Sequence, residues 1–505
     1  MRPALLALLP LLALSQELPE DGPDTPPFTD EAVEPAPTVS PEGCALDRTW
    51  PTEAWPERAP GPDKADAVAA LEAYAFPERT PEQEAERLGV RTDGVIVIQG
   101  GEILYERYGD GYTAEMPHLN WSVSKTWVSA LVALAVAEGR MSVEDSICDH
   151  ITATNPENCV IRVQDLLEFA SGLEWHETYE GDPPTTSSVI AMLIGEGYPD
   201  MAAFISGQPR RAPPGTVWQY SSGDTTLLAN VVQAVMEPEH GRDFPWTLLF
   251  DRLGMTSVVF ERDNAGTFVG SSYLHATPRD MARFGYLWLN DGCWEGERLF
   301  PEGWVLDSTR VSDAIRARAL DRGPRDVQGR QLWLNQPVPE LGDETRPWPD
   351  MPSDTYAAMG HWKQAIVMVP SRDAVIIRTG DDRDGSFSWN TFLSLSLALT
   401  DEIPMGGLGY RPAVGEPGVM EASEAMKFDV GLLGLGTAYG AKLGCTCAYV
   451  IGQTHDYCRA YIKASPDIVK AKFDDEAHAV TTRAMGFKTA TARWVNERDG
   501  CLLDP

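Results

Sequence analysis

The sequence predicts an α/β protein. One mixed sheet is assembled from both ends of residues 63–403, flanked by terminal helices and split by a large, mostly helical insertion; a small Cys-rich α+β module follows at 439–505. Three observations predict this. Strand hairpins stand at opposite ends of the region, at 94–108 and 365–378. A long apolar helix and a loop-rich helical stretch lie between them. Beyond residue 440 the composition changes, and Cys445, Cys447, Cys458 and Cys501 crowd into a unit short enough to need staples. A chain of 505 residues, 43% of them hydrophobic, suffices for a large core and an appendage.

Taken in order, residues 1–15 read as a secretory signal peptide. Arg2 supplies the positive end, Ala4 to Leu14 is an apolar run too short for a bilayer, and Ala13-Leu14-Ser15 is a small-x-small cleavage site. The expected location is therefore secreted or periplasmic. No Cys follows the cleavage site and no later stretch is long and apolar, so no membrane anchor is expected. Residues 16–62, rich in Pro, Glu and Asp, read as an acidic linker. Asp66 to Tyr74 has helical periodicity. Gly94 to Gln99, a Gly100-Gly101 turn and Glu102 to Tyr108 form the first hairpin. Ser122 to Glu138, apolar nearly throughout and stopped by Gly139, predicts a buried helix. The second hairpin runs Ala365 to Val369, turns at Pro370-Ser371-Arg372-Asp373 and returns along Ala374 to Arg378; Phe387 to Leu399 predicts a helix. Residues 404–438 read as a second linker. In the last module a strand is expected at Cys447 to Ile451, a helix at Asp456 to Ala464, and strands around Val480 to Thr482 and Ala490 to Val495.

Lys plus Arg is 41 against 75 Asp plus Glu, a net charge of −34. Nucleic-acid binding needs a cationic face to displace counterions, so no nucleic-acid partner is expected. The eight Cys fit an oxidising compartment. Cys148 and Cys159 flank a polar loop and predict a local disulfide. Two more bridges are expected among the four C-terminal Cys, whose spacing departs from zinc-finger patterns. The eight His are scattered, and no H-E-x-x-H, Walker A or G-x-S-x-G is present; no metal and no cofactor are expected.

Ser122-Val123-Ser124-Lys125 is the single S-x-x-K of the chain. On a helix, positions i and i+3 share a face. At a helix N-terminus Ser122 has unpaired backbone N–H groups beside it, able to receive a developing oxyanion. The dipole and burial together push Lys125 toward a free amine that accepts the serine proton. A capping Ser followed by a solvated Lys is the structural alternative.

Further stretches make the pattern specific: Tyr220-Ser221-Ser222 after Trp218-Gln219, Gly360-His361-Trp362-Lys363-Gln364 opening a strand, Leu166 to Trp175, Thr277 to Gly285, and Asn290 to Trp294. Across residues 63–403 the chain resembles the serine hydrolases related to class C β-lactamases, D-alanyl-D-alanine carboxypeptidases and 6-aminohexanoate-dimer hydrolase. The resemblance implies the β-lactamase/DD-peptidase-like fold, with an antiparallel sheet. It implies an acyl-enzyme on Ser122, with Lys125 accepting its proton and Tyr220 as tyrosinate or proton relay, its pKa lowered by the Lys charge. Ser222 hydrogen-bonds Lys125 or the substrate. The oxyanion hole comprises the N–H of Ser122 and one from the third motif, with His361 the expected donor.

The sequence departs from the family pattern twice. Lys363 stands where a second glycine is expected, either narrowing the site, supplying a cation for a substrate carboxylate, or pointing to solvent. Ser222 replaces the lactamase Asn, which favours an esterase or amidase. Trp121, Trp175, Trp218 and Trp362 are candidate pocket walls, with core packing as the alternative for each, and Tyr179 is either a lid residue or a surface tyrosine. The expected partner is a small-molecule ester, amide or peptide substrate. The rival readings are a D-Ala peptidase or lactamase, and a non-catalytic binding protein on the same shell. The C-terminal module loosely resembles a Cys-containing segment of some of these hydrolases, and a packing or substrate-lip role is expected for it.

Overall fold

The computed structural model describes residue 44 and residues 48–109, 111–179, 184–317, 319–320, 326–339, 342–403, 428, 431–463, 469–485 and 488–504. The expected signal peptide and much of both expected linkers lie outside these residues. All described residues belong to one compact unit. None of its helices is long and apolar enough to cross a membrane.

The first hairpin forms as its pattern requires. Strands β1 (Thr92–Gln99) and β2 (Glu102–Tyr108) pair antiparallel around Gly100 and Gly101, whose φ values of 63° and 84° suit a residue without Cβ. Near the other end of the region follow β3 (Trp333–Leu334), β4 (Tyr356–Gly360), β5 (Gln364–Val369) and β6 (Ala374–Gly380). The sheet order is β3-β4-β5-β6-β1-β2, and Ile96 lies opposite Ile377 where the two ends of the region meet. Every pairing in it is antiparallel, so the sheet is not mixed.

The sheet is covered on both faces, which explains why β1 and β6 are apolar without alternation. Ile96, Ile98, Ile366, Met368, Val375 and Ile377 join the core shared with α2 (Ser124–Ala137), α3 (Ser222–His240) and α4 (Pro278–Leu289). Their neighbours Val95, Val97, Ala365, Val367 and Ile376 pack on the other face with Leu71 and Ala75 of α1 (Ala65–Ala75) and Phe392 and Leu393 of α5 (Trp389–Leu397). Within α2 every residue from Ser124 to Ala135 is buried. It is a central helix rather than an amphipathic surface one, with Trp127 stacked on Phe284 at 3.7 Å.

At the C-terminus, α6 (Leu432–Cys445) packs on an antiparallel sheet of β7 (Val469–Asp474), β8 (Ala479–Ala484), β9 (Lys488–Asn496) and β10 (Gly500–Leu503), with α7 (His455–Tyr461) alongside. Disulfide Cys148–Cys159 forms as the spacing predicts, and the two bridges expected among the four C-terminal Cys pair as Cys445–Cys501 and Cys447–Cys458; Cys44–Cys293 was not foreseen.

Three further expectations are corrected. The strand expected at Cys447 to Ile451 is helical: the chain continues from α6 through a wider turn at Thr446–Val450, held there by both C-terminal disulfides. The end of the second expected linker is helix from Leu432 onward. The end of the first, 48–62, is packed: Trp55 is buried, its indole N–H donates to the Arg279 carbonyl at 3.1 Å, and Trp50 lies against Tyr286 and Trp294. Aromatic residues inside a Pro-rich stretch supplied the burial that composition averaging hid.

Candidate active site

Ser122 sits in a tight turn, Trp121–Val123, that leads into α2. Asn120 N–H donates to the Leu274 carbonyl at 2.9 Å and pins the entry. Trp121 takes φ 48°, a left-handed conformation that costs an aromatic residue on the order of 1–3 kcal/mol and marks a site the surroundings hold in place. One turn on, Lys125 is buried, with Nζ donating to Ser122 Oγ at 2.9 Å, Ser222 Oγ at 2.9 Å and the Ser271 carbonyl at 3.1 Å. Three acceptors match the three hydrogens of the ammonium form. Burial drives the Lys125 pKa down to about 8, against the opposing charge of Glu177.

Tyr220 enters from a different element. The strand Trp218–Gln219 is fixed by Gln219, whose N–H donates to the Phe169 carbonyl at 2.9 Å and whose amide donates to the Trp175 carbonyl at 2.6 Å. Ser221 then caps α3, its hydroxyl accepting from Asp224 N–H at 2.9 Å. Between these anchors the Tyr220 ring lies 4.9 Å from Lys125 Nζ, and its hydroxyl is hydrogen-bonded to Ser122. Burial, reinforced by Glu177, pushes Tyr220 far above the usual tyrosine range. The direction is opposite to the expected lowering by the Lys charge: desolvation of the anion and the Glu177 charge both disfavour tyrosinate, which favours the proton-relay alternative.

Glu177 was not singled out in the sequence. Its carboxylate accepts from Ser222 Oγ at 2.5 Å, Ser222 N–H at 2.9 Å and the Trp175 indole N–H at 2.6 Å. A chain therefore runs from Glu177 through Ser222 to Lys125 and Ser122. Tyr179, two residues on, stacks on His361 at 4.9 Å, meets the edge of Trp121 at 6.3 Å and shares a hydrogen bond with Ser222. It bridges the Tyr-x-Ser segment and the third motif.

That third motif closes against the nucleophile turn. A Cβ on Gly360 would stand 2.4 Å from the Asn120 carbonyl oxygen, so only glycine lets β4 approach. His361 and Trp362 each lie 5.4 Å from Trp121, edge to face. Trp362 and Lys363 take φ 55° and 72°, the conformation a glycine would adopt freely. Buried Gln364 locks the turn, its amide donating to the His361 carbonyl at 3.0 Å and the Gly380 carbonyl at 2.6 Å. Lys363 is half-buried, which lowers its pKa, with Asp382 opposing. Of the four tryptophans, Trp121 and Trp362 stand together at the site. Trp175 and Trp218 are buried in the core, and Trp175 acts through Glu177.

A hydroxyl held between a depressed amine and a phenol is built to move protons on and off an oxygen nucleophile. Among the described residues no group of His, Cys, Asp and Glu is arranged as a metal-ligand set.

The family model described as Beta-lactamase matches residues 78–382. A 6-aminohexanoate-dimer hydrolase of Paenarthrobacter ureafaciens is 25% identical over 363 residues, covering 66% of this chain and 83% of that protein. Among solved structures, a Bacillus anthracis protein provisionally assigned as a 6-aminohexanoate-dimer hydrolase superposes with a TM-score of 0.52 at 20% identity, covering 70% of this chain and 88% of that one; it shares the fold.

Proposed function

The chain belongs to the beta-lactamase family and is a serine hydrolase, and from that premise we propose that it cleaves a carboxylic ester or amide through an acyl-enzyme on Ser122. One observation carries the reading: Lys125 Nζ lies 2.9 Å from Ser122 Oγ in a buried network, and burial lowers its pKa to about 8. The neutral amine of Lys125 takes the proton as Ser122 Oγ bonds to the substrate carbonyl carbon. The oxyanion is received by the N–H of Ser122 and that of His361. On collapse the bond to the leaving oxygen or nitrogen breaks. The Tyr220 phenol gives that atom its proton and recovers one from Lys125, so the proton lost by Ser122 leaves with the first product. Water then attacks the acyl carbon by the reverse route and Ser122 regains its hydrogen.

An amide substrate is supported by the relative that hydrolyses 6-aminohexanoate dimer, and by Ser222 at the place of the lactamase Asn. Export is supported by the Arg2 to Ser15 signal pattern and by four disulfides, which persist in oxidising compartments.

A fluorophosphonate is expected to add its mass to the peptide containing Ser122. Ser122→Ala abolishes labelling and turnover, and Tyr220→Phe slows acylation about 10²–10⁴-fold. A label on another serine, or turnover by Ser122→Ala, overturns the mechanism. p-Nitrophenyl esters, amide oligomers, nitrocefin and D-Ala-D-Ala peptides then sort the substrate class.

A further inference from the structure

The third motif carries two consecutive non-glycine residues, Trp362 and Lys363, at φ 55° and 72°. Such a turn persists only where its surroundings over-determine it. Part of the restraint is internal: the Lys363 carbonyl accepts from Arg378 Nη1 at 2.9 Å, and Gln364 binds the His361 carbonyl. The Trp362 ring, however, is held from outside the catalytic sheet. The Arg383 guanidinium lies 3.9 Å from its centroid, and the edge of Tyr461, from α7 of the C-terminal module, meets it at 5.8 Å.

These holders are themselves tied together. Arg383 donates to Asp381 at 2.7 Å and to the backbone carbonyl of Tyr461 at 3.1 Å. Asp381 also pairs with Arg87, which lies over the rings of Tyr457 and Tyr461 at 5.3 and 5.7 Å. Tyr457 reaches Tyr112 at 3.5 Å, and the Cys447–Cys458 disulfide fastens α7. The cluster couples one face of α7 to the loop that follows β6 and, through Trp362, to the turn beside Ser122.

We propose that α7 is a strut for the oxyanion loop and that Tyr461 is a positioning residue for catalysis. This inference rests on the acyl-enzyme reading, in which the third motif supplies an oxyanion donor. Tyr461 touches no reacting atom. It holds the Trp362 ring by an edge contact, and so holds the short turn that His361, whose N–H is the oxyanion donor, begins. Oxyanion donors act only at short range, so a small displacement is felt in the transition state and little in ground-state binding.

The test uses the full-length protein, with kcat and KM for a p-nitrophenyl ester and the active fraction titrated by fluorophosphonate. Tyr461→Ala is expected to lower kcat per labelled site about 10- to 100-fold with KM near that of the parent. Tyr461→Phe keeps the ring edge and the carbonyl that Arg383 binds, and is expected to restore the rate. A simple loss of folded protein would lower the labelled fraction instead and leave kcat per site unchanged. Parental kcat per site in Tyr461→Ala, or Tyr461→Phe as impaired as the alanine variant, overturns the inference. Should Tyr461→Ala not fold, Arg383→Gln removes the cation over Trp362 and the tie to the Tyr461 carbonyl, and an unchanged kcat per site there overturns it equally. Ser122→Ala in parallel separates the two readings. Residual turnover in it would overturn the catalytic assignment and this inference together, whereas an inert Ser122→Ala beside a fully active Tyr461→Ala overturns the strut alone.

Discussion

At the scale of single residues, the charge state of Lys125 governs the chemistry, and two opposed effects set it. Burial favours the neutral amine, and Glu177 favours the ammonium. The balance leaves the pKa at about 8, so with the neutral amine as the working form kcat/KM rises with pH through that value. Removing the negative charge removes only the raising effect. Glu177→Gln is therefore expected to move the acid limb of the pH–kcat/KM profile to lower pH. A limb that stays in place would separate Glu177 from Lys125 and leave it a role in orienting Ser222 alone. Glu177 gave no sequence signal because its partners Ser222 and Lys125 are distant in the chain, and an isolated Glu in a polar loop reads as solvated.

At the scale of elements, the site is made where three of them converge: the head of α2, the Tyr220 segment before α3, and the turn between β4 and β5. The tightest joint is Gly360 against Asn120. Gly360→Ala places a methyl carbon 2.4 Å from a backbone oxygen that cannot swing aside. It is expected to cost about 1–3 kcal/mol of stability, the usual penalty of overpacking. Because the displaced strand carries the third motif, kcat/KM falls with it. Thermal unfolding read beside kinetics checks both, and an alanine variant with parental melting and rate would mean the two turns are not in contact. The hairpins and α2 were legible because their periodicity is local. The helical turn at Cys447 was not: an apolar β-branched run reads as a strand, whereas in the fold it continues α6 and is tied by the Cys445–Cys501 and Cys447–Cys458 bridges.

At the scale of the whole molecule, the C-terminal module is joined to the catalytic part by a buried ion pair. Lys442 and Glu261 are 0% and 1% exposed, and Glu261 also accepts from Cys501 N–H at 2.8 Å and the Thr446 hydroxyl at 3.2 Å. Burial pushes each partner toward its neutral form while the pairing resists. Breaking such a pair from one side strands a charge and costs about 3–5 kcal/mol. Lys442→Met is expected to lose that much in urea unfolding, and Lys442→Met with Glu261→Gln to recover a large part, since the amide still accepts from Cys501. Equal stability of the single variant and the parent would mean that the pair does not hold the module.

The sequence by itself determined the two hairpins, the buried helix headed by Ser122 and Lys125, the order of the three motifs and the Cys148–Cys159 disulfide; for the four C-terminal Cys it gave two bridges without their connectivity. Each of these depends on residues close in the chain, or on a family resemblance carried by short contiguous motifs. The tertiary structure alone decided that Glu177 joins the Lys125 network, that Tyr220 sits where burial and Glu177 disfavour its anion, that Cys44 reaches Cys293, and that Tyr461 bears on Trp362. The physical reason is common to all four. Desolvation and long-range contact depend on what the folded chain brings alongside a side chain, and neither periodicity nor composition carries that information.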